Sequence, residues 1–161
     1  MAMRINTKGL DELQDMLQEL GNQTYAVAAE ALYDGAAQVA DAFERAAGQI
    51  QTAPFKGKRN KRKPSPEEAA ALKGKTGIAT FRYDEDSVNT LVGVSGSAGY
   101  TQLGNKQVAV RLIARAINSG TSFMPKQPVF RKAKTNSTAK AKKAIVDKVE
   151  ERYKEIINSE G

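Results

Sequence analysis

The sequence predicts an α+β fold: two N-terminal helices and a C-terminal amphipathic helix packed on a small antiparallel β-sheet. Three observations lead there. Apolar residues recur at helical steps of three and four near both ends of the chain. The middle, over 78–94, holds two short runs with strand-like composition around an acidic turn. Clusters of Gly, Pro and Ser separate these regions.

The first helix is predicted from Leu10, Leu13, Leu17 and Leu20, which share one stripe with Met16 beside it. Gly9 precedes it and Gly21 follows it, read as a start and a C-terminal cap. Asp11 and Glu12 lie in the first turn, where carboxylates suit the helix dipole. A second helix is predicted over 23–50. There Leu32, Ala36, Val39, Phe43, Ala47 and Ile50 repeat at helical steps, in an Ala-rich stretch that favours helix. That stripe reads as a core face, with an inter-subunit seam as the alternative.

Residues 51–65, QTAPFKGKRNKRKPS, break the pattern. Lys56, Lys58, Arg59, Lys61, Arg62 and Lys63 lie between Pro54 and Pro64, and the segment is predicted to be an exposed basic loop or arm. Three readings fit it: a solvated loop, a contact with DNA or another polyanion, and an inter-subunit arm. Ser65-Pro66-Glu67-Glu68 has the form of a capping box with Pro at the first helical position, so a short helix is predicted over 66–73, ended by Gly74 and Gly77. Ile78–Tyr83 and Ser87–Val94 then form a predicted hairpin around Asp84-Glu85-Asp86. Residues 95–105 read as loop. VAVRLIARAIN, 108–118, is assigned to helix, with its first half also compatible with a strand. Gly120 ends it, and Pro125 and Pro128 make 121–131 an extended, constrained segment. The last helix is predicted over 137–158 from Ala141, Ile145, Val149, Tyr153 and Ile156.

Composition narrows the functional classes. The 161 residues amount to a single domain with a basic arm at about 51–65. There is no Cys, His or Trp. Without His or Cys the usual Ser-His-Asp and Cys-His nucleophiles are absent, as are ordinary zinc, copper and iron–sulfur sites. No apolar run approaches the roughly 20 residues of a membrane helix, and the first ten residues lack an apolar signal core. The net charge of +7 is unevenly spread: residues 1–50 hold 3 basic and 8 acidic side chains, net −5, and residues 51–161 hold 22 and 10, net +12. Such asymmetry suggests a polyanion contact or complementary association between copies.

No chemical motif stands out. Gly74-Lys75-Thr76 has only the last three positions of a phosphate loop. Asp84, Glu85 and Asp86 read as a solvated turn; a hard-cation site and a contact with the basic arm of another copy are the alternatives. No catalytic, metal or cofactor-binding residue is assigned, no cofactor is expected, and the chain is expected not to be an enzyme.

The informative stretch is 118–133, NSGTSFMPKQPVFRKA. Gly120, Thr121, Met124, Pro125, Pro128, Phe130, Arg131 and Ala133 resemble the signature E-F-G-T…M-P-x-x-P-F-x-R-x-A of the Hong Kong 97-type gene-ten-like phage morphogenesis proteins. These are tail-component, neck or tail-completion proteins. The wider order is similar too: Gly9-Leu10-Asp11-Glu12-Leu13, an Ala-rich helix, a hairpin opening at Gly77-Ile78, the signature and a final helix. Asn118-Ser119 stand where the family has an acidic-aromatic pair, and Val129-Phe130 displace the aromatic by one place.

The resemblance implies a virion protein of a tailed bacteriophage, assembled in the host cytoplasm. It implies a head–tail joining ring, expected to be sixfold, whose partners are its own copies, the head-closure or connector proteins, and the tail terminator or tail tube. Packaged DNA would pass non-specifically against it, and no membrane is involved. Tail termination and head closure are alternative roles in the same structure. From another class, a sequence-independent DNA-binding protein that uses the arm is the alternative. The physics of the signature is structural: Gly120 frees a turn, Pro125 and Pro128 stiffen a strut, and Phe130 anchors it in the core or lines a subunit interface.

Overall fold

The computed structural model of the chain describes residues 8–54, 62–84, 87–98 and 108–159. The architecture is α+β. Its elements are α1 (Lys8–Gly48), α2 (Pro66–Ala70), β1 (Thr76–Ile78), β2 (Arg82–Asp84), β3 (Ser87–Asn89), β4 (Val92–Val94), β5 (Ser97–Ala98), β6 (Val108–Ala109), α3 (Val110–Ser119) and α4 (Val129–Ser159).

The two predicted N-terminal helices are one. α1 runs unbroken through Gly21 for 41 residues, about 61 Å at helical rise. The reason is visible in the phase of the pattern. Leu13, Leu17, Leu20, Thr24, Val27 and Ala31 follow one another at steps of four and three, so the apolar stripe crosses Gly21 without a shift. One mid-helix glycine costs only about 1 kcal/mol against alanine. It stops a helix only where the chain must turn.

α4 begins at Val129 rather than at Ser137. Its first helical bond is donated by the Lys132 amide to the Pro128 carbonyl at 3.0 Å. Proline supplies a helix-compatible φ and needs no donor there. Phe130 and Arg131 therefore sit in the first turn of α4, not in an extended segment.

α1 and α4 pack antiparallel: Phe43 meets Phe130 edge-on, with ring centroids 5.5 Å apart, Gly35 lies against Ile145 and Ala141, and Glu30 pairs with Arg152. A Cβ at Gly35 would stand 2.5 Å from Ile145 Cγ1, so the absent side chain is what lets the helices approach. From the Glu30–Arg152 pair, α4 continues only to Ser159. By helical rise it reaches about residue 23 of α1, leaving roughly 22 Å of α1 beyond it.

The hairpin is present and bent. β1 pairs with β4 (Ile78↔Val92) and β2 with β3 (Arg82↔Asn89), both antiparallel. Three residues, 79–81, oppose two, 90 and 91, so the register slips by one as in a β-bulge. The Thr90 hydroxyl donates to the Ala79 carbonyl at 2.7 Å and satisfies the interrupted ladder. The tip residues Glu85 and Asp86 lie outside the described residues. A third pair, β5–β6, joins Ala98 to Val108 and leads directly into α3. Val108–Ala109 thus takes the strand alternative and 110–119 the helical one.

The core lies where the C-terminal end of α1 meets α2, α3 and the start of α4. Leu72, Val110 and Ile117 are fully buried there, with Ala46, Ala47, Ile50, Ala114, Met124 and Phe130 around them. Among the described residues no helix is long and apolar enough to cross a membrane.

Candidate functional site: the signature turn and the root of the arm

The signature residues form a tight reversal between α3 and α4. Gly120 closes α3, its amide donating to the Ala116 carbonyl at 2.9 Å. It does so at φ 77°, ψ 168°, a region essentially restricted to glycine. Thr121 and Met124 exchange backbone hydrogen bonds. The Thr121 hydroxyl also accepts from the Phe123 and Met124 amides at 3.2 and 3.1 Å. Met124 is thereby turned into the core, while Pro125 and Lys126 are exposed. The Gln127 amide donates to the Ile117 carbonyl at 2.8 Å. Finally, Asn118 Oδ1 accepts from the Arg131 amide at 3.1 Å, so a side chain at the end of α3 caps the first turn of α4.

The arm leaves the fold beside this turn. Lys56, Lys58, Arg59 and Lys61 lie outside the described residues; the root on either side of them is clear. Ala53 N donates to the Pro64 carbonyl at 3.0 Å and ties the two sides together. Gln51 and Gln127 exchange hydrogen bonds: the Gln51 amide donates to Oε1 and Gln127 Nε2 donates to the Gln51 carbonyl, both at 2.9 Å. The Arg62 amide donates to the Phe123 carbonyl at 2.8 Å. Of the basic residues singled out in the sequence, Lys63 is exposed and donates to Gln51 Oε1 at 3.3 Å. Arg62 is held differently. Its guanidinium forks onto Glu68, Nη1 to Oε2 at 2.7 Å and Nη2 to Oε1 at 2.6 Å. It is a strut of the root as well as a member of the basic run.

The predicted capping box supports that strut. Ser65 Oγ accepts from the Glu68 amide at 3.2 Å, and Glu68 Oε2 accepts from the Ser65 amide at 2.8 Å. Ser65 and Pro64 are fully buried. Partial burial raises the Glu68 pKa, but the bonds from Arg62 and the Ser65 amide outweigh it and hold the carboxyl below its ordinary value of 4.5. A lowered folded-state pKa means that the carboxylate stabilises the root above the ordinary range. That contribution is lost as pH falls through the folded value. The protection factors of the Ser65 and Glu68 amides, measured against their intrinsic exchange rates, are therefore expected to fall as pH drops below about 4.5, more than those of α3 amides. Glu68→Gln should remove that extra acid sensitivity; an unaltered acid profile in Glu68→Gln would contradict it.

At the end remote from the turn, Arg152 pairs with Glu30 at 2.8 Å and with Glu155 at 2.6 Å, and Lys148 pairs with Glu151 at 2.8 Å. An open groove of about 540 Å³ between α1 and α4 is lined there by Asp34, Asp147 and Glu151. Among the described residues no group of three Asp or Glu side chains is placed to hold a metal ion.

The capping box expected from Ser65 and Glu68 is present. Sequence reasoning missed Gln51, Gln127 and Asn118, whose roles come from being brought opposite one another, as Gln51 and Gln127 are across 76 positions. Comparison with protein-family models, with curated proteins and with solved structures finds no match.

Proposed function

We propose that this chain is a structural protein of a tailed-phage virion, a neck or tail-completion protein that forms a homo-oligomeric ring between the head connector and the tail. The observation that carries the reading is the overhang of α1. About four turns of helix project beyond the end of α4. They carry the leucine repeat Leu10, Leu13, Leu17 and Leu20. In the sequence that repeat has the spacing of a helix-packing stripe, and copies of the same chain in a ring are the partners this reading assigns to it. The resemblance of 118–133 to the phage signature supports the same reading. The structural content of that stretch, a reversal that locks α3 to α4, suits a part whose work is to hold shape. Function then consists of assembly: each copy buries its overhang on the next, and the closed ring docks between head and tail partners.

Size-exclusion chromatography with light scattering tests this. The wild type is expected to run as a closed oligomer well above the 17.4 kDa of one chain. Leu13→Glu/Leu17→Glu is expected to run as a monomer with its helical circular dichroism largely retained. A wild type that stays monomeric even with purified head-closure and tail-terminator partners would overturn the reading.

A further inference from the structure

The fold brings the described root of the arm, with Arg62 and Lys63, beside a turn that is remote in sequence and basic in its surroundings. The arm, with six Lys or Arg in 56–63, is rooted on the signature turn through Gln51–Gln127 and Arg62–Phe123. Beyond the root, Arg111 and Arg115 lie in the first half of α3, Lys126 in the turn, and Arg131, Lys132 and Lys134 at the start of α4. All six are exposed. Arg111 and Arg115 are one helical turn apart on a common face. The end of α3 is joined to the first turn of α4 by the Asn118–Arg131 bond. None of the six forms an ion pair among the described residues. The sequence offers them little local compensation, since 87–146 contains no Asp or Glu. The Glu68 carboxylate at the arm root is already taken by Arg62. Of the described acids of the helix pair, Glu30, Asp34, Asp147 and Glu151 lie towards the other end, while Asp41 and Glu44 flank Phe43 nearer the turn and Glu44 accepts from the Gly74 amide at 2.6 Å.

We propose that this corner, α3 with the start of α4 and the root of the arm, is a contact surface for the phosphate backbone of duplex DNA. Its charges are spread over two exposed helix faces rather than converging on a pocket, which suits a long polyanion more than a small phosphate. Phe123 is the exposed aromatic of the turn, and among the described residues of the corner there is no series of stacking platforms of the kind single strands require. Recognition of this kind is independent of sequence and steeply dependent on salt. The proposal deepens the neck reading by naming the face that packaged DNA meets, and it rests on that reading for the source of the DNA.

The test uses the full chain, a short fluorescent random-sequence duplex and anisotropy titrations between about 50 and 200 mM salt. Arg111→Gln/Arg115→Gln/Arg131→Gln/Lys132→Gln is compared with Lys140→Gln/Lys142→Gln/Lys143→Gln/Lys154→Gln, which removes the same charge from the rest of α4. The corner variant is expected to bind at least tenfold more weakly than the control, with a log–log salt slope shallower than wild type by about 3. Arg111→Lys/Arg115→Lys/Arg131→Lys keeps the charge and is expected to stay within about threefold of wild type, since backbone contacts ask for charge and not for a fork. Circular dichroism of every variant confirms the fold. Equal losses in corner and control variants would mean that net charge alone drives binding, and would overturn the proposal. So would a wild type that does not bind the duplex at the lowest salt. A corner variant that keeps duplex binding but loses self-association would assign the face to a neighbouring copy and overturn it as well. Particle size measured on the same samples keeps the two readings apart: a wild-type ring that ignores DNA sinks only this inference, and a strict monomer that binds DNA through the corner sinks only the ring.

Discussion

Phe130→Ala is expected to lower the stability of the folded chain by about 3–5 kcal/mol, the range for truncating a buried aromatic. Phe130 is 8% exposed and sits in the first turn of α4, edge-on to Phe43 of α1. Its removal opens a cavity where α1, α3 and α4 meet, and the edge-to-face contact is lost as well. For a chain of this size the melting temperature should fall by roughly 10 °C. Phe130→Leu keeps most of the apolar volume and should cost roughly 1–2 kcal/mol. Urea unfolding followed by circular dichroism measures both. A loss below about 1 kcal/mol for Phe130→Ala would mean that the ring is not a core anchor and that its place in the signature has another cause.

Gly120→Ala is the second large effect, and it comes from the backbone. At φ 77°, ψ 168° a side chain is strained whatever the space around it. A Cβ there would also stand 2.9 Å from the Lys126 amide nitrogen and 3.1 Å from the Met124 carbonyl oxygen. Those are backbone atoms of the reversal and cannot swing aside as the end of a side chain does. Strain and displacement together are expected to cost roughly 3–4 kcal/mol. The damage should be local first. Hydrogen exchange should rise at the Gln127 and Arg131 amides, which donate across the reversal, before the far half of α4 is affected. A Gly120→Ala protein as stable as wild type, with those two amides still protected, would show that the turn can be made with an ordinary residue.

The helical register was largely legible from residue types. Ser65, Pro66 and Glu68 announced the start of α2, because the capping box is a local exchange of bonds over four residues. The alternation around Asp84 announced a hairpin. Its bulge was not legible, because a slip of one residue depends on which ladder bonds survive when the strand bends over α1. Two element boundaries were misplaced for a shared reason. Gly21 and Pro128 are punctuation in a local reading, yet each is tolerated where the surrounding helix has tertiary support. Val27 and Ala31 continue the α1 stripe past Gly21 into burial, and Asn118 caps α4 from another helix. The arm was visible as a run of charge. That Arg62 is braced by Glu68 was not, although Glu68 had been marked for its part in the cap.

By itself the sequence determined the α+β class, the short capped helix and the basic run, all properties of residues within a few positions of one another. Only the tertiary structure decided that the N-terminal helices are one rod and that α1 outruns α4. It also decided that the root of the arm is tied to the turn between α3 and α4. These depend on pairings such as Gln51 with Gln127 and Phe43 with Phe130, which periodicity does not encode. Such pairings are chosen when the chain closes its core, because the free energy of burial depends on which faces meet and not on the pattern of any one face.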